Sequence, residues 1–336
     1  MSKNGDVMVD SDVKNNTGDV AQREDERRDG SERKRLLFIL NPKAGTMQAV
    51  RYLADILQIF SDAGFLTSVL MTAKSGDAKT FANLYAGDMD RIVCSGGDGT
   101  LNEVIEGVLS AGCTTEIGYI PSGSTNDFGA SVGLPKGITD AAWVAANGTP
   151  KKLDVGSFNG RYFSYVASFG AFTSTSYSVP QNLKNIMGHT AYMLQGIRDV
   201  LNIKPVMAKF IVDEGTPNER EFSGDFIFGA ICNSTSVGGL LKLDNFDVDM
   251  NDGMMELLLI RRPNNLMELN SIALSLLDGQ LKADEITFYS ARNIKIRIEP
   301  GTPWTLDGEY EQGATDIQVD TLRSAVNLIT GEGGGR

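Results

Sequence analysis

Residues 96–103 (GGDGTLNE) have the composition of an anion-binding turn. Three glycines surround Asp98, and Thr100 adds a hydroxyl. Glycines let backbone N–H groups approach an anion closely, and the first turn of a helix favours negative charge. The stretch lacks the Gly-Lys-Ser/Thr of commoner nucleotide loops, so Asp98 is the residue suited to a magnesium ion or its waters. The pattern favours a phosphate-binding turn; the alternative is a glycine turn with an Asp cap.

Two other polar turns could serve the same site. Residues 41–45 (NPKAG) offer Lys43 and turn amides, and residues 121–128 (PSGSTNDF) are dense in hydroxyls and amides. Each follows an apolar stretch typical of a strand, and ligands bind beyond the carboxyl ends of parallel strands. We expect these turns to converge with the glycine turn, although residues 121–128 alone could be an ordinary helix N-cap.

A pair of carboxylates, Asp307 and Glu309, flanks Gly308 late in the chain. A carboxylate can accept the proton of an alcohol, although an isolated Asp-Gly-Glu is usually a solvated turn.

The elements that must position these residues alternate in the first half of the chain. Apolar runs predict strands at 36–40, 67–71, 91–95 and 117–120. Helical spacing predicts helices around 50–60, 77–85 and 101–109. Strand and helix in alternation indicate a parallel sheet with helices on both faces.

The pattern changes near residue 150. Asn159 and Gly160 lie between stretches 153–158 and 162–166, which is typical of a two-residue hairpin. Further strands are predicted at 209–212, 226–231, 255–260, 286–289 and 294–298, with one helix near 266–277. Many strands with few helices indicate an antiparallel β-sandwich. The predicted fold class is α/β plus all-β: a three-layer parallel-sheet domain over 34–150, rejoined by 320–331, and a sandwich domain over 151–319.

Composition excludes several function classes. His189 is the one histidine in 336 residues, so Ser-His-Asp hydrolysis and two-histidine metal sites lack their imidazoles, and a structural or surface role is expected for it. The net charge of -12 argues against binding to nucleic acid.

No apolar run approaches the roughly 18 residues that cross a bilayer, so we expect a cytoplasmic protein. Residues 1–33 are too polar to fold and predict a disordered tail. Residues 177–200 suit either a lipid interface or a core helix.

The motifs NPKAG, GGDGTLNEV and PSGSTNDF, in this order, resemble the diacylglycerol kinase catalytic-domain family. The resemblance runs from about residue 35 to about residue 330, is closest to soluble bacterial members, and extends more distantly to sphingosine and ceramide kinases. It implies a kinase that depends on ATP and Mg2+ and phosphorylates a lipid hydroxyl. Among lipids, the resemblance favours diacylglycerol as the acceptor. It also implies that ATP lies in the cleft between the two domains.

The resemblance also assigns site residues. Nucleotide contacts fall on Asn41, Pro42, Lys43, Ala44, Gly45, Thr72, Gly96, Gly97, Asp98, Gly99, Thr100, Leu101, Asn102 and Ser124. The family usually has Thr where Ser124 stands, and the hydroxyl is kept. Glu309 is favoured as the base with Asp307 as its partner, and the order of these two stays open. Metal ligands fall on Asp98 and on a structural loop with Asp249, Asp252 and Met254.

Two other functions compete with this interpretation. NAD kinases share a Gly-Gly-Asp-Gly loop, but the context of residues 126–128 and the late Asp307 and Glu309 favour the lipid branch. A non-catalytic nucleotide sensor would be expected to lose Asp98 or both late carboxylates, and all three are present. Without a spanning segment, transient peripheral docking on a membrane is expected. A homodimer is left open.

Overall fold

The computed structural model describes residues 33–45, 48–124, 126–171, 204–234, 236–237, 241–242 and 248–331. The predicted tail up to residue 32, the segment 177–200 and His189 lie outside these ranges. No helix within them is long and apolar enough to cross a bilayer.

The elements alternate in the first half of the chain and are mainly strands in the second. The strands are β1 (Arg35–Leu40), β2 (Leu66–Met71), β3 (Arg91–Gly96), β4 (Glu116–Pro121), β5 (Thr149–Phe158), β6 (Arg161–Phe163), β7 (Val166–Gly170), β8 (Val206–Val212), β9 (Arg220–Cys232), β10 (Ser236–Val237), β11 (Leu241–Lys242), β12 (Met255–Arg261), β13 (Ile286–Ala291), β14 (Asn293–Ile298), β15 (Pro303–Leu306), β16 (Glu309–Gln312) and β17 (Asp316–Thr330). The helices are α1 (Gln48–Arg51), α2 (Leu53–Asp62), α3 (Asp77–Tyr85), α4 (Asp98–Ser110), α5 (Asp127–Ser131), α6 (Ile138–Asn147) and α7 (Leu266–Leu277).

The first four strands form a parallel sheet in the order β4-β3-β1-β2. Side chains of β1 alternate between its two faces because successive residues of a strand point to opposite sides. Phe38 packs in one core with α2 and α6, and Ile39 packs in another with α3 and α4. Both faces are therefore covered by helices, as the sequence predicted.

The later strands are mainly antiparallel, in the order β16-β15-β7-β9-β8-β14-β17, with β12 and β13 joined at β9. Their own core contains stacked and tilted aromatic rings, including Phe169, Phe210 and Trp304. Asn159 and Gly160 form the predicted hairpin turn with φ of 48° and 87°. The prediction of a parallel α/β part followed by an antiparallel β part is confirmed.

Strand β17 joins the two parts of the sheet. It pairs with β14 at one end, with β5 along its length, and in parallel with β4 at Leu328 and Ile117. All but the short β10 and β11 therefore lie in one hydrogen-bonded sheet of 15 strands among the described residues. Strands β15, β16 and β17 were not predicted from the sequence. The division at residues 150 and 320 stays a proposal.

Candidate active site

The turns that follow β1, β3 and β4 meet at the carboxyl end of the parallel sheet. Asn41 N–H donates to Ser95 O (2.9 Å), and Asn41 Nδ2 donates to Thr100 Oγ1 (3.1 Å). Gly45 approaches the third turn so closely that a Cβ atom on it would lie 2.4 Å from Ser122 O. The three turns, which are separated in the sequence, therefore lie side by side and border the same site.

The glycine turn leaves room for an anion beside the start of α4. The N–H groups of Ser122 and Gly123 donate to Gly96 O (2.8 and 3.1 Å), so the neighbouring turn fixes the end of β3. The N–H groups of Thr100 and Leu101 both turn back to Gly97 O (3.0 and 3.2 Å). The preceding N–H groups, at the positive end of the helix, have no acceptor within the helix and are available to an external one.

Replacing Gly97 by Ala tests whether this turn holds the phosphates. Among the described residues, a Cβ atom there would contact only Gly123 Cα, at 3.5 Å, which is an ordinary distance, and the backbone is extended. We expect the KM for ATP to rise about tenfold, since a methyl group would obstruct a phosphate at the helix start, while the melting temperature stays within about 2 °C. Steady-state kinetics and thermal melting check both values.

The control is Gly87→Ala, whose Cβ would contact only Cys113 Sγ, at 3.8 Å. It makes the same change in open space away from the turns, and its KM for ATP should match that of the parent. An unchanged KM for ATP in Gly97→Ala would contradict the prediction that this turn binds the phosphates.

Asp98 lies within a network of polar groups that includes residues missed by the sequence analysis. Its Oδ2 accepts from Asp127 N–H (3.0 Å), and its Oδ1 accepts from the Tyr119 hydroxyl (3.4 Å). Burial, helped by the carboxylates of Asp127 and Asp307, raises the pKa of Asp98 to about 6, and the hydrogen bond from Asp127 N–H opposes this rise. A cation at Asp98 would restore its charged form.

The turn after β2 reaches the site through Thr72. Thr72 N–H donates to Leu40 O (2.9 Å), and Lys43 Nζ lies 3.5 Å from Ala73 O. The carboxylate of Glu103 holds the rest of this turn by accepting from Ser75 Oγ (3.0 Å), Gly76 N–H (2.8 Å) and Ala78 N–H (3.1 Å). Glu103 belongs to the recognised motif, but its role as an anchor between turns was not predicted.

The other residues predicted to contact the nucleotide differ in how deeply they are buried. The Leu101 side chain is fully buried in the core, so only its backbone is available to a ligand. Asn102 is also buried, and its Oδ1 has no hydrogen-bond partner within the described ranges. Pro42 and Ala44 supply backbone in the turn after β1, where Ala44 N–H donates to Asn41 O (3.3 Å). Ser124 is exposed in the turn after β4.

Asp307 begins the turn between β15 and β16 and is buried, with 8% exposure. Its Oδ2 accepts from Ser164 N–H (2.7 Å) and Ser164 Oγ (3.0 Å), and its Oδ1 accepts from the N–H groups of Tyr165 (2.9 Å) and Val166 (2.8 Å). Burial raises the pKa of Asp307, and these hydrogen bonds oppose that effect. Both carboxylate oxygens are already engaged, so Asp307 anchors the turn.

Glu309 faces the glycine turn from the antiparallel half. A Cβ atom on Gly99 would lie 3.5 Å from Glu309 Oε1, and Glu309 Oε2 accepts from Arg161 Nη2 (2.9 Å). Burial raises the pKa of Glu309, Arg161 lowers it, and the carboxylates of Glu103, Asp307 and Glu106 raise it. The arrangement brings Glu309 to the turn that contains Asp98, from a position more than 200 residues away.

Residues 249–254 form a second acidic group. Asp252 Oδ1 accepts from Met254 N–H (2.9 Å), and the exposed Asp249 accepts through Oδ1 from Asn251 N–H (3.0 Å). Two acidic residues missed by the sequence analysis complete the group. Asp154 accepts from the N–H groups of Gly253 and Ser324 (both 2.6 Å), which ties this loop to β17. Glu256 is 2% exposed, and burial with the Asp252 charge raises its pKa to about 8.

Comparisons with known proteins agree with this architecture. The family model "Diacylglycerol kinase catalytic domain" matches residues 35–158, and the model "YegS C-terminal NAD kinase beta sandwich-like domain" matches residues 167–330. A diacylglycerol kinase of Bacillus subtilis (strain 168) is 35% identical over 280 residues, which covers 82% of this chain and 90% of the relative. A diacylglycerol kinase of Staphylococcus saprophyticus is 34% identical over 280 residues, or 83% of this chain and 90% of the relative.

Solved structures show the same fold. A crystal structure described as a diacylglycerol kinase from Bacillus anthracis str. Sterne superposes with a TM-score of 0.73 at 24% identity, covering 89% of this chain and 98% of the other. The turns, the acidic residues facing them and the near full-length similarity to curated relatives agree. The chain therefore belongs to the diacylglycerol kinase catalytic-domain family.

Proposed function

We propose that this chain transfers the γ-phosphoryl group of ATP to the free hydroxyl of diacylglycerol and so makes phosphatidic acid. Membership of the family makes it a kinase that uses ATP and a lipid substrate. The observation that carries the proposal is the position of Glu309 Oε1 beside Gly99, next to the helix start suited to phosphate. A carboxylate and a phosphate-binding turn face each other across one site.

Glu309 is proposed as the base. In the reaction the lipid hydroxyl oxygen bonds to the γ-phosphorus, the bond from that phosphorus to the β–γ bridging oxygen breaks, and ADP leaves. The hydroxyl proton passes to Glu309. Asp307 is unsuited to this task because its oxygens already accept four hydrogen bonds. Since phosphoryl transfer depends mainly on positioning and charge stabilisation, Glu309 also orients the hydroxyl.

The nucleotide is proposed to bind along the turns after β1, β2, β3 and β4. Backbone N–H groups at the start of α4 would receive the phosphates, with Lys43 nearby as a cation. Residues 34–150 with 320–331 are proposed as the ATP-binding domain, and residues 151–319 as the lipid-binding domain. The antiparallel part supplies the base, so the two parts would share the reacting atoms.

Magnesium fits the oxygen donors that the chain offers. Mg2+ would neutralise charge on the transferring phosphates, and Asp98 is proposed to hold it. In the second group, the residues proposed to hold a structural ion are Asp252 by its carboxylate and Asp249 and Met254 mainly by carbonyls. Glu256 Oε2 and Asn233 Oδ1 are buried there and have no hydrogen-bond partner among the residues that the structure describes. No three acidic, histidine or cysteine side chains converge on a metal position among the described residues, so backbone carbonyls and waters would complete each shell.

The proposed enzyme docks on a membrane transiently and peripherally. Leu266, Met267 and Leu274 of α7 are exposed apolar side chains that could enter a lipid surface. Flotation with diacylglycerol-containing vesicles tests the docking. A homodimer is not required by this chemistry, and light scattering would decide it.

Labelled ATP offered with diacylglycerol, phosphatidylglycerol, sphingosine, ceramide and NAD tests the activity. We expect transfer to diacylglycerol in mixed micelles that disappears with a chelator of Mg2+. NAD is the necessary competitor because the family model for residues 167–330 describes an NAD kinase-like sandwich. Transfer to NAD and to no lipid would replace the proposal with a soluble-acceptor kinase. ATP binding without any transfer would favour a sensor.

A further inference from the structure

We infer that Arg161 is a positioning residue that holds Glu309 ionised and aimed at the glycine turn. The inference deepens the proposed function and rests on Glu309 being its base. It assigns a role to a residue that no motif singled out. Arg161 begins β6, directly after the hairpin turn at Asn159 and Gly160.

Glu309 needs support because its strand lies at an edge. In the described part of the sheet, β16 pairs with β15 alone, over four residues. A four-residue edge strand is weakly held by its backbone. Arg161 supplies a tie from a second hairpin, because its Nη1 also donates to the backbone at Tyr310 O (3.3 Å).

The guanidinium group of Arg161 contacts two carboxylates that lie on the same face of β16. Nη2 donates to Glu309 Oε2 (2.9 Å), and Nη1 pairs with Glu311 Oε2. Glu311 therefore holds the other terminal nitrogen of Arg161. The planar fork of arginine fixes both contacts in direction, which a lysine cannot do. Glu309 Oε1 is left to face Gly99 and the reacting hydroxyl.

In the part of the chain that the structure describes, Arg161 is also the positive charge that acts most strongly on Glu309, among acidic neighbours. Among the described residues, the charged groups around Glu309 are Glu103 and Glu106 of α4, Asp307 of the β15–β16 turn, Glu311 of β16 and Arg161 of β6. Glu106 itself pairs with Lys79 (2.7 Å). Burial and the acidic neighbours favour the protonated form, which cannot accept a proton from the lipid. The guanidinium group of Arg161 is a positive charge and opposes both effects.

The alternative is that Arg161 serves only to hold the hairpin. The variants Arg161→Gln and Arg161→Lys, with Arg297→Gln as the control, separate the two roles. Arg297 is also a strand arginine paired with a carboxylate, that of Asp316 at 2.9 Å, but it is 76% exposed. The rate kcat for diacylglycerol phosphorylation is measured from about pH 5 to pH 9, together with the melting temperature.

In Arg161→Gln we expect the acidic limb of the kcat profile to move up by about one pH unit, because Glu309 loses its opposite charge. The shift alone should lower the rate at pH 6 by up to about tenfold, the largest factor by which one pH unit can reduce the ionised fraction, and the rate should recover partly at pH 9. Arg161→Lys should keep the limb near that of the parent with a lower kcat, because charge is restored without the fork. Arg297→Gln should match the parent throughout. A loss of kcat that is equal at every pH would reduce Arg161 to a structural role and overturn the inference.

A second measurement does not need turnover. The carboxyl 13C signal of Glu309 in the full-length chain, assigned by its absence in Glu309→Gln, is titrated in the parent and in Arg161→Gln. A higher pKa in the variant supports the inference, and an unchanged pKa overturns it. A parent that phosphorylates no lipid would count against the proposed function, and the titration would still decide the role of Arg161.

Discussion

Glu309→Gln is expected to lower kcat for lipid phosphorylation by about 10^2- to 10^4-fold, the usual contribution of a positioned general base. Glutamine keeps the size and the hydrogen-bonding oxygen, but it cannot take the hydroxyl proton. The KM for ATP should change less than threefold, because the nucleotide contacts are proposed on the turns after β1 to β4 and not on β16. Initial rates with labelled ATP and diacylglycerol measure both constants.

Glu221→Gln is the matched control. Glu221 is also a strand glutamate in an ion pair, with Lys209 at 2.8 Å, and its side chain is 53% exposed against 43% for Glu309. Its kcat should equal that of the parent. If Glu309→Gln kept more than about a tenth of the parent rate, another group would have to accept the proton, because a general base contributes more than this.

The turns of the site could be predicted because their signals are local. Glycines and polar residues that directly follow an apolar run mark the end of a strand, and parallel topology brings such ends together. The close approaches of Gly45 to Ser122 and of Gly123 to Gly97 explain why glycine stands there, since a Cβ atom would meet backbone atoms at 2.4 and 2.5 Å. The sequence pattern thus predicted where the turns lie and that they converge, whereas the close contacts of these glycines come from the structure.

The residues that the sequence analysis missed act over long separations. Arg161 meets Glu309 across 148 residues, and Asp154 meets Gly253 across 99. Neither Arg161 nor Asp154 lies in a motif. An arginine in a short strand or an aspartate in a buried one has many ordinary uses, so neither residue stood out in the sequence. Strands β15 and β16 escaped prediction because each is only four residues long. Pairing across the sheet, which sequence spacing does not reveal, gives these residues their roles.

The two late carboxylates illustrate the same limit. In the Asp-Gly-Glu sequence the resemblance favours Glu309 as the base over Asp307, but the order of the two stays open. The structure distinguishes them by their surroundings: Asp307 is enclosed by the N–H groups of residues 164–166, whereas Glu309 keeps Oε1 toward Gly99. The chemistry proposed for Glu309 would then depend on the anchoring of Asp307, two residues away.

Asp307→Asn is therefore expected to act first on stability. The amide keeps one oxygen for Tyr165 and Val166, but its NH2 group would face the N–H group of Ser164, which then loses its acceptor. Neutralising a buried charge offsets part of this cost, and we expect the free energy of unfolding to fall by about 1–3 kcal/mol. The rate kcat should fall with it, by about tenfold to a hundredfold, because the turn that orients Glu309 loosens and misplaced catalytic groups lose rate on this scale.

Urea denaturation followed by fluorescence measures the stability change, and Asp316→Asn is the control. Asp316 is 69% exposed in its pair with Arg297, so its loss should change the unfolding free energy by less than about 0.5 kcal/mol. Loss of the proposed anchor and loss of the proposed base should differ in their effect on stability. Glu309→Gln should leave the unfolding transition in place while turnover collapses, whereas Asp307→Asn should lower both. If Asp307→Asn abolished turnover with an unchanged transition, Asp307 itself would contact the substrate, and the assignment of the two carboxylates would be reversed.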